Sequence, residues 1–378
     1  MYGDIYASED DFECESIVEF CPLAAAKKES FSVLLLVLEN LKLYNIDLDK
    51  TDENGNTLLH ICAAKGNLAC VKKILSIGGV SRLLNKKQQT PLLLACSKDS
   101  SESLEIVELL VNHDNTLNVP DMFNETPIFH AVRAGSASMV KYLHSKGATL
   151  THKNKIEESL LHVCDNAEVM RYLLQYKLNV NKASADGTTP LQVAVARGNV
   201  ETVKLLIQNA AYIHVVDTKQ RSLLHLAILY DRYDIAELLF KNKIDVNAVD
   251  EEGLTALHYA VDTGRMSYVA LLLKFQAKVN VMDIDGYTPL HVAATKTNIE
   301  IIDLLTKRDG RAAVAKTFNG DIPLHIAARC GNSAGIYVLL NETDKFVKNF
   351  EGLTPIDVAD DACKGCFSIN KSHWFYVV

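Results

Sequence analysis

Thr288-Pro289-Leu290-His291 is the stretch whose reading decides the fold, because near copies of it return along the chain at an almost constant interval. They stand at Thr57-Leu58-Leu59-His60, Thr90-Pro91-Leu92-Leu93, Thr189-Pro190-Leu191-Gln192, Ser222-Leu223-Leu224-His225 and Thr255-Ala256-Leu257-His258. Ile322-Pro323-Leu324-His325 and Thr354-Pro355-Ile356-Asp357 follow, and Thr126 and Ser159 open two weaker copies. Aligned on the first residue, the steps are 33, 36, 33, 30, 33, 33, 33, 34 and 32. A fixed period of this size specifies a stacked array, not a closed globule. An array presents a long surface of equivalent positions, which suits binding better than catalysis.

The motif has a physical logic. Thr or Ser is a good helix N-cap, since its hydroxyl accepts from a free amide of the first turn. Pro beside it takes the first helical position, where a missing N–H costs nothing. Leu and Ala then bury against the neighbouring repeat. A second apolar run at helical spacing follows, as in Val203, Leu205, Leu206, Ile207 and in Ile301, Ile302, Leu304, Leu305. Turn signals close each unit, as at Asp250-Glu251-Glu252-Gly253 and Asp283-Ile284-Asp285-Gly286.

Period and motif together resemble the ankyrin repeat over almost the whole chain. One further unit lies upstream, where Cys21-Pro22-Leu23-Ala24-Ala25-Ala26 sits 36 residues before Thr57 and Val33–Leu38 supplies a second helix. The count becomes eleven units, the first and last degenerate, as terminal repeats tend to be. The resemblance implies an all-α solenoid of stacked helix-turn-helix units with projecting β-hairpin tips. It also implies structural roles within the turn region for His60, His162, His225, His258, His291 and His325. Residues 1–20 are expected as an acidic N-terminal segment, 21–362 as the array and 363–378 as a C-terminal cap or tail. Two departures stand out. Lys98–Leu104 carries about three extra residues, expected to lengthen the loop between helices of the third unit. The fifth unit is short, so 155–180 is expected to be a flexible joint, since a poor unit weakens both of its interfaces.

Bulk properties narrow the class. The hydrophobic share is 48% and the formal net charge −8. Residues 1–20 hold Asp4, Glu9, Asp10, Asp11, Glu13, Glu15 and Glu19 and no Lys or Arg, so nearly all of that charge is local. A nucleic-acid binder usually shows a basic footprint, absent overall here. Nine irregularly spaced cysteines without a secretory leader suit a reducing compartment. The longest apolar run, Val33–Leu38, is far below the ~20 residues that span a bilayer. The expectation is a cytoplasmic protein, with the nucleus left open.

No catalytic or phosphate-binding signature is present in the sequence, so no enzyme activity and no cofactor are expected. Cys363-Lys364-Gly365-Cys366 with His373 offers three ligands without a fourth, and no metal is expected. The terminal Phe375-Tyr376-Val377-Val378 is similar to ligands of PDZ domains, making a contact through Val378 an alternative to packing on the last unit. Ankyrin repeats are also targets of an asparaginyl hydroxylase. Its preferred setting is similar to Leu239, Asp245, Val246 and Asn247, which marks Asn247 as a candidate for modification beside a plain turn role.

In the resembling family, partners lie on a concave face made of hairpin tips and first helices. The matching positions here include Lys86, Lys87, Arg133, Lys155, Lys219 and Arg221, then Glu251, Glu252 and Asp321. Apolar tips punctuate the series at Met122, Phe123, Ile156, Ile284, Tyr287, Phe318 and Phe350. The face thus reads basic first and acidic later. The expected function is a scaffold or adaptor binding a partner protein there, with neither nucleic acid nor direct membrane insertion. The alternative is a regulatory or substrate-recruiting subunit whose acidic N-terminus masks the basic part of the face.

Overall fold

The computed structural model describes residues 21–39, 47–114 and 116–368. They are helical, and the only β-type pairing among them is two isolated antiparallel bridges, Val216–Ser222 and Val249–Thr255. The chain divides into two compact bodies, one ending at Leu178 and the other starting at Asn179.

In the first body the helix pairs are Pro22–Lys27 with Phe31–Glu39, Leu58–Lys65 with Leu68–Ser76, and Pro91–Ala95 with Ser101–His113. Pro127–Ala134 with Ala137–Ser145 and Leu160–Val163 with Ala167–Leu174 complete it. We number these repeats 1 to 5. In the second body, repeats 6 to 10 are Pro190–Arg197 with Val200–Gln208, Leu223–Leu229 with Tyr233–Lys241, and Ala256–Asp262 with Met266–Lys274, then Pro289–Ala294 with Ile299–Arg308 and Pro323–Arg329 with Ser333–Glu342. Repeat 11 has no α-helix, only a turn and the 3-10 helix Asp361–Ser368.

The Gly-Asn dipeptide explains the sharp hairpin inside a repeat. Gly66, at φ +81°, ends the first helix of repeat 2 in the left-handed region, and the Asn67 side chain accepts from Cys70 N–H to open the second. Apolar residues at helical spacing then fill the layer: Leu59, Val71 and Ile74 are fully buried, as are Leu224, Ile235 and Leu239. Each such side chain contributes about 1.5–3 kcal/mol.

Two irregular repeats behave differently from their sequence expectation or sharpen it. Repeat 3 has the longer connection between its helices, five residues from Cys96 to Ser100 against two in repeat 2. Its second helix is longer too, thirteen residues against nine in repeat 2. Ser100 caps it by accepting from Ser103 N–H at 3.1 Å, and Glu102 sits favourably in the first turn. Repeat 5 reduces its first helix to four residues, then turns through Cys164 and Asp165 to Asn166, which accepts from the Glu168 and Val169 amides. Its core positions Leu160, Leu161, Val169, Met170 and Leu173 remain buried.

Cys363 and Cys366 point inward, 2% and 6% exposed, and Cys363 Sγ lies 3.1 Å from Ser333 Oγ. This pair packs the 3-10 helix on repeat 10, and the eight cysteines among the described residues are all free. His373, Val378, the aromatic tail and residues 1–20 lie outside the described residues.

Candidate functional site

Most tips are built around one residue whose side-chain oxygen accepts from the amides two and four residues on. Asp121 Oδ1 takes Phe123 N–H at 2.9 Å and Glu125 N–H at 3.0 Å. Asn85, Asn154, Asp217, Asp250, Asp283 and Asn349 do the same. Such Asx turns fix a tight loop without help from its tip residues.

The tips are then tied to one another. In the first body Lys86 N–H donates to Asn54 C=O (3.0 Å), Met122 N–H to Lys87 C=O (3.0 Å) and Lys155 N–H to Phe123 C=O (2.8 Å). In the second body Glu251 N–H reaches Lys219 C=O (3.1 Å), Ile284 reaches Glu252 (3.0 Å), Phe318 reaches Asp285 (3.3 Å) and Phe350 reaches Asn319 (3.1 Å). The backbone of a tip is thereby drawn into the frame, and most of its outer side chains are exposed.

Most of the sequence-derived site residues are these outer side chains. Lys86, Lys87, Lys155, Lys219, Glu251 and Glu252 are exposed. So are Met122 (38%), Phe123 (55%), Ile156 (56%), Ile284 (63%), Phe318 (64%) and Phe350 (72%). Phe318 and Phe350 each lie over the glycine of the preceding tip. A Cβ on Gly286, at φ +82°, would come within 2.6 Å of Phe318 N, and one on Gly320 within 2.8 Å of the Phe350 ring.

Four residues are placed differently. Arg221 Nε and Nη2 both lie 2.7 Å from Asp217 Oδ2, a clamp within one tip. Arg133 Nη2 lies 2.6 Å from Glu125 Oε1. Tyr287 is half-buried, its ring edge-on to His291 at 5.6 Å. Asp321, read as part of the acidic zone, is 3% exposed. Burial works to raise its pKa, but Arg329 at 2.9 Å and Asn349 at 2.8 Å outweigh that and hold it below the usual carboxylate range. Asn247 is half-buried: its Oδ1 accepts from Lys278 N–H of the next repeat at 2.8 Å. Asn118 and Asn181 make the same link, to Thr149 and Tyr212 N–H.

Beneath the tips of repeats 3 to 5 lies a groove lined in part by Lys87, Phe123, Lys155 and Ile156. On its floor Asp121, Glu125 and His130 bring three ligand-type atoms within 4.8 Å of one another. A cation there would have to displace Arg133, and Asn154 already donates to Glu125 at 3.2 Å, so the cluster acts as an ion-pair network. Burial keeps His130 below its ordinary pKa against the pull of Glu125 and Asp121.

The repeated histidines are structural. His60 Nδ1 accepts from Thr57 N–H (3.2 Å) and lies 2.8 Å from its hydroxyl, while Nε2 lies 3.0 Å from Gln89 C=O. A carbonyl can only accept, so the ring is the neutral Nε2–H tautomer. His225, His258, His291 and His325 reach Leu254, Tyr287, Asp321 and Leu353 C=O at 3.0–3.2 Å. Ile322 has no hydroxyl, so His325 Nδ1 accepts only its N–H, at 3.2 Å. This cap-to-next-repeat bond is seen at His60 in the first body and at His225, His258, His291 and His325 in the second. A profile of ankyrin repeats in threes matches residues 22–121, 73–154, 100–184, 160–250, 224–312 and 268–349. The chain belongs to the ankyrin repeat family.

Ankyrin repeats are protein–protein interaction modules, and the curated relatives carry them within larger proteins. SH3 and multiple ankyrin repeat domains protein 2 of Homo sapiens is 36% identical over 92 residues, 24% of this chain and 5% of that protein. The nuclear factor NF-kappa-B p105 subunit of Gallus gallus is 30% identical over 179 residues, 45% and 18% respectively. Ankyrin repeat, SAM and basic leucine zipper domain-containing protein 1 of Dasypus novemcinctus is 33% identical over 129 residues, 32% and 27%. The ankyrin match thus spans well under a third of each of these relatives. No helix among the described residues is long and apolar enough to cross a membrane.

Proposed function

We propose that this ankyrin repeat chain is a scaffold or adaptor that holds partner proteins against its tips, and that it is not an enzyme. One observation carries the reading. In each body the tip backbone is consumed by Asx bonds and the inter-tip ladder, while bulky apolar and charged side chains stand outward in series. Aromatic and large aliphatic residues held rigidly at a surface are the usual energetic anchors of an interface. The charges divide by body: Lys86, Lys87 and Lys155 in the first; Glu251, Glu252, Asp285 and Glu351 with the lone Lys219 in the second. Complementary charge steers encounter and rejects wrong partners. The first body therefore suits an acidic partner and the second a basic one. No cofactor or nucleic acid enters this reading, and its setting is the cytoplasm or nucleus. Asn247 hydroxylation belongs to the same proposal, tested by intact-peptide mass spectrometry of the tryptic fragment.

The test is parallel affinity capture from cytosol with three forms of the chain. One is intact, one carries Lys86→Glu, Lys87→Glu and Lys155→Glu, and one carries Ile284→Ser, Phe318→Ser and Phe350→Ser. Each variant is expected to lose a different set of proteins. Equal capture by all three would remove the tips as the binding surface.

A further inference from the structure

The tips of repeats 3, 4 and 5 form a continuous surface inside the first body. Two ladder bonds lock them in register, Met122 N–H to Lys87 C=O and Lys155 N–H to Phe123 C=O. Their outer side chains alternate cations and apolar groups: Lys86-Lys87, Met122-Phe123, Lys155-Ile156. Several nearby cations are already neutralised, Lys27 by Asp52 and Glu53 at 3.1 and 2.6 Å, Lys65 by Glu29 at 2.7 Å, and Arg133 by Glu125. Lys86, Lys87 and Lys155 make no ion pair among the described residues. The surface thus pairs three free ammonium groups with three exposed apolar side chains.

The chain carries a segment of matching composition. Residues 1–20 place seven carboxylates and no Lys or Arg among Tyr2, Ile5, Tyr6, Phe12, Ile17, Val18 and Phe20. The segment ends where repeat 1 of the same body begins, at Cys21. Helix layers are about 10 Å apart, so repeats 3 to 5 lie roughly 20–40 Å along the stack. Twenty extended residues reach up to about 65 Å. We propose that residues 1–20 occupy the tips of repeats 3 to 5 of their own chain, their carboxylates on Lys86, Lys87 and Lys155 and their apolar residues against Phe123 and Ile156. This rests on the tips being a docking surface and adds that the chain regulates it. Tethering supplies an effective concentration on the order of millimolar. A segment that binds as a free peptide at ~0.1 mM would then hold the site about nine-tenths of the time and lower an outside ligand's affinity about tenfold.

The experiment uses the full chain. Zero-length carbodiimide coupling in low salt, read by mass spectrometry of the monomer, is expected to join acids of 1–20 to Lys86, Lys87 or Lys155. At 1 M salt, where the Debye length is about 3 Å, those links should vanish. Links confined to the exposed Lys28 and Lys50, or found only in a dimer band, would overturn the proposal. A second arm uses a fluorescent synthetic peptide of residues 1–20. Its affinity should rise about tenfold on a full-length variant with Glu9, Glu13, Glu15 and Glu19 as Gln and Asp4, Asp10 and Asp11 as Asn. It should be lost when Lys86→Glu, Lys87→Glu and Lys155→Glu are added. Equal affinity for both chains, with binding still lost in the Lys variant, would leave the docking surface standing and refute self-occupancy. No binding to any form would refute both.

Discussion

At the residue scale, the histidines illustrate how one side chain serves two repeats. Nδ1 closes the helix cap at its own repeat and Nε2 donates to the carbonyl just before the next cap. The first half of that role was legible, since His stands three residues after a cap. The second was not, because the acceptor lies 28 to 30 residues on and only stacking reveals it. Gln192 tests the account. Its Oε1 takes Thr189 N–H at 2.8 Å, but its buried Nε2 has no partner. Gln192→His should let Nε2 donate to Arg221 C=O and raise stability by ~1 kcal/mol, read as a higher urea midpoint at unchanged slope. Protonation attacks the same device. Burial pushes His291 down to about 4 from 6.5. Between those values the unfolded chain binds more protons than the folded one. The stabilisation is therefore complete above pH 6.5 and lost as the pH falls through about 4, on the order of 3 kcal/mol in full. His60, His225, His258 and His325 are lowered too. Unfolding free energy should fall steeply from pH 6.5 to 4, and His291→Gln should flatten that slope. An unchanged profile in the variant would assign the acid sensitivity elsewhere.

At the element scale, the links between repeats repay attention to single side chains. Asn247, Asn181 and Asn118 each accept an amide from the following repeat. Asn247→Ala strands Lys278 N–H and should cost about 1 kcal/mol, seen as faster amide exchange at Lys278. Exchange unaltered there would mean water replaces the side chain fully. The element scale is also where sequence reasoning reached least far. Three inserted residues could extend a loop or a helix, and repeat 3 does both: its connection runs from Cys96 to Ser100, and Ser100 caps a helix of thirteen residues. Arg133 and Arg221 read as free cations because their acidic partners stand eight and four residues upstream, at spacings that mean contact only once the tip has folded. The outer tip residues were legible, because a turn signal marks both the loop and what it exposes.

At the scale of the whole molecule, the repeat period alone carried the architecture, and its shortest step, 30 residues, falls at the proposed joint. Repeat 5 keeps its core but has only four residues in its first helix. Hydrogen exchange over 155–180 is expected to run at least tenfold faster than over 58–76 or 256–274; equal protection would remove the proposed joint. The histidine relay has one more consequence, which concerns growth. Every observed link runs the same way, from a ring to a carbonyl nearer the C-terminus. A repeat added on the C-terminal side need bring only a carbonyl, whereas one added on the N-terminal side must bring its own histidine. Repeat 11 breaks the relay with Asp357, whose carboxylate accepts from Thr354 N–H and hydroxyl but has no proton to pass on. The array therefore has a polarity: duplication of a histidine-bearing repeat such as 8 or 9 preserves the relay, while duplication of repeat 3, 4, 6 or 11, which carry Leu93, Phe129, Gln192 and Asp357 at that position, would propagate a gap.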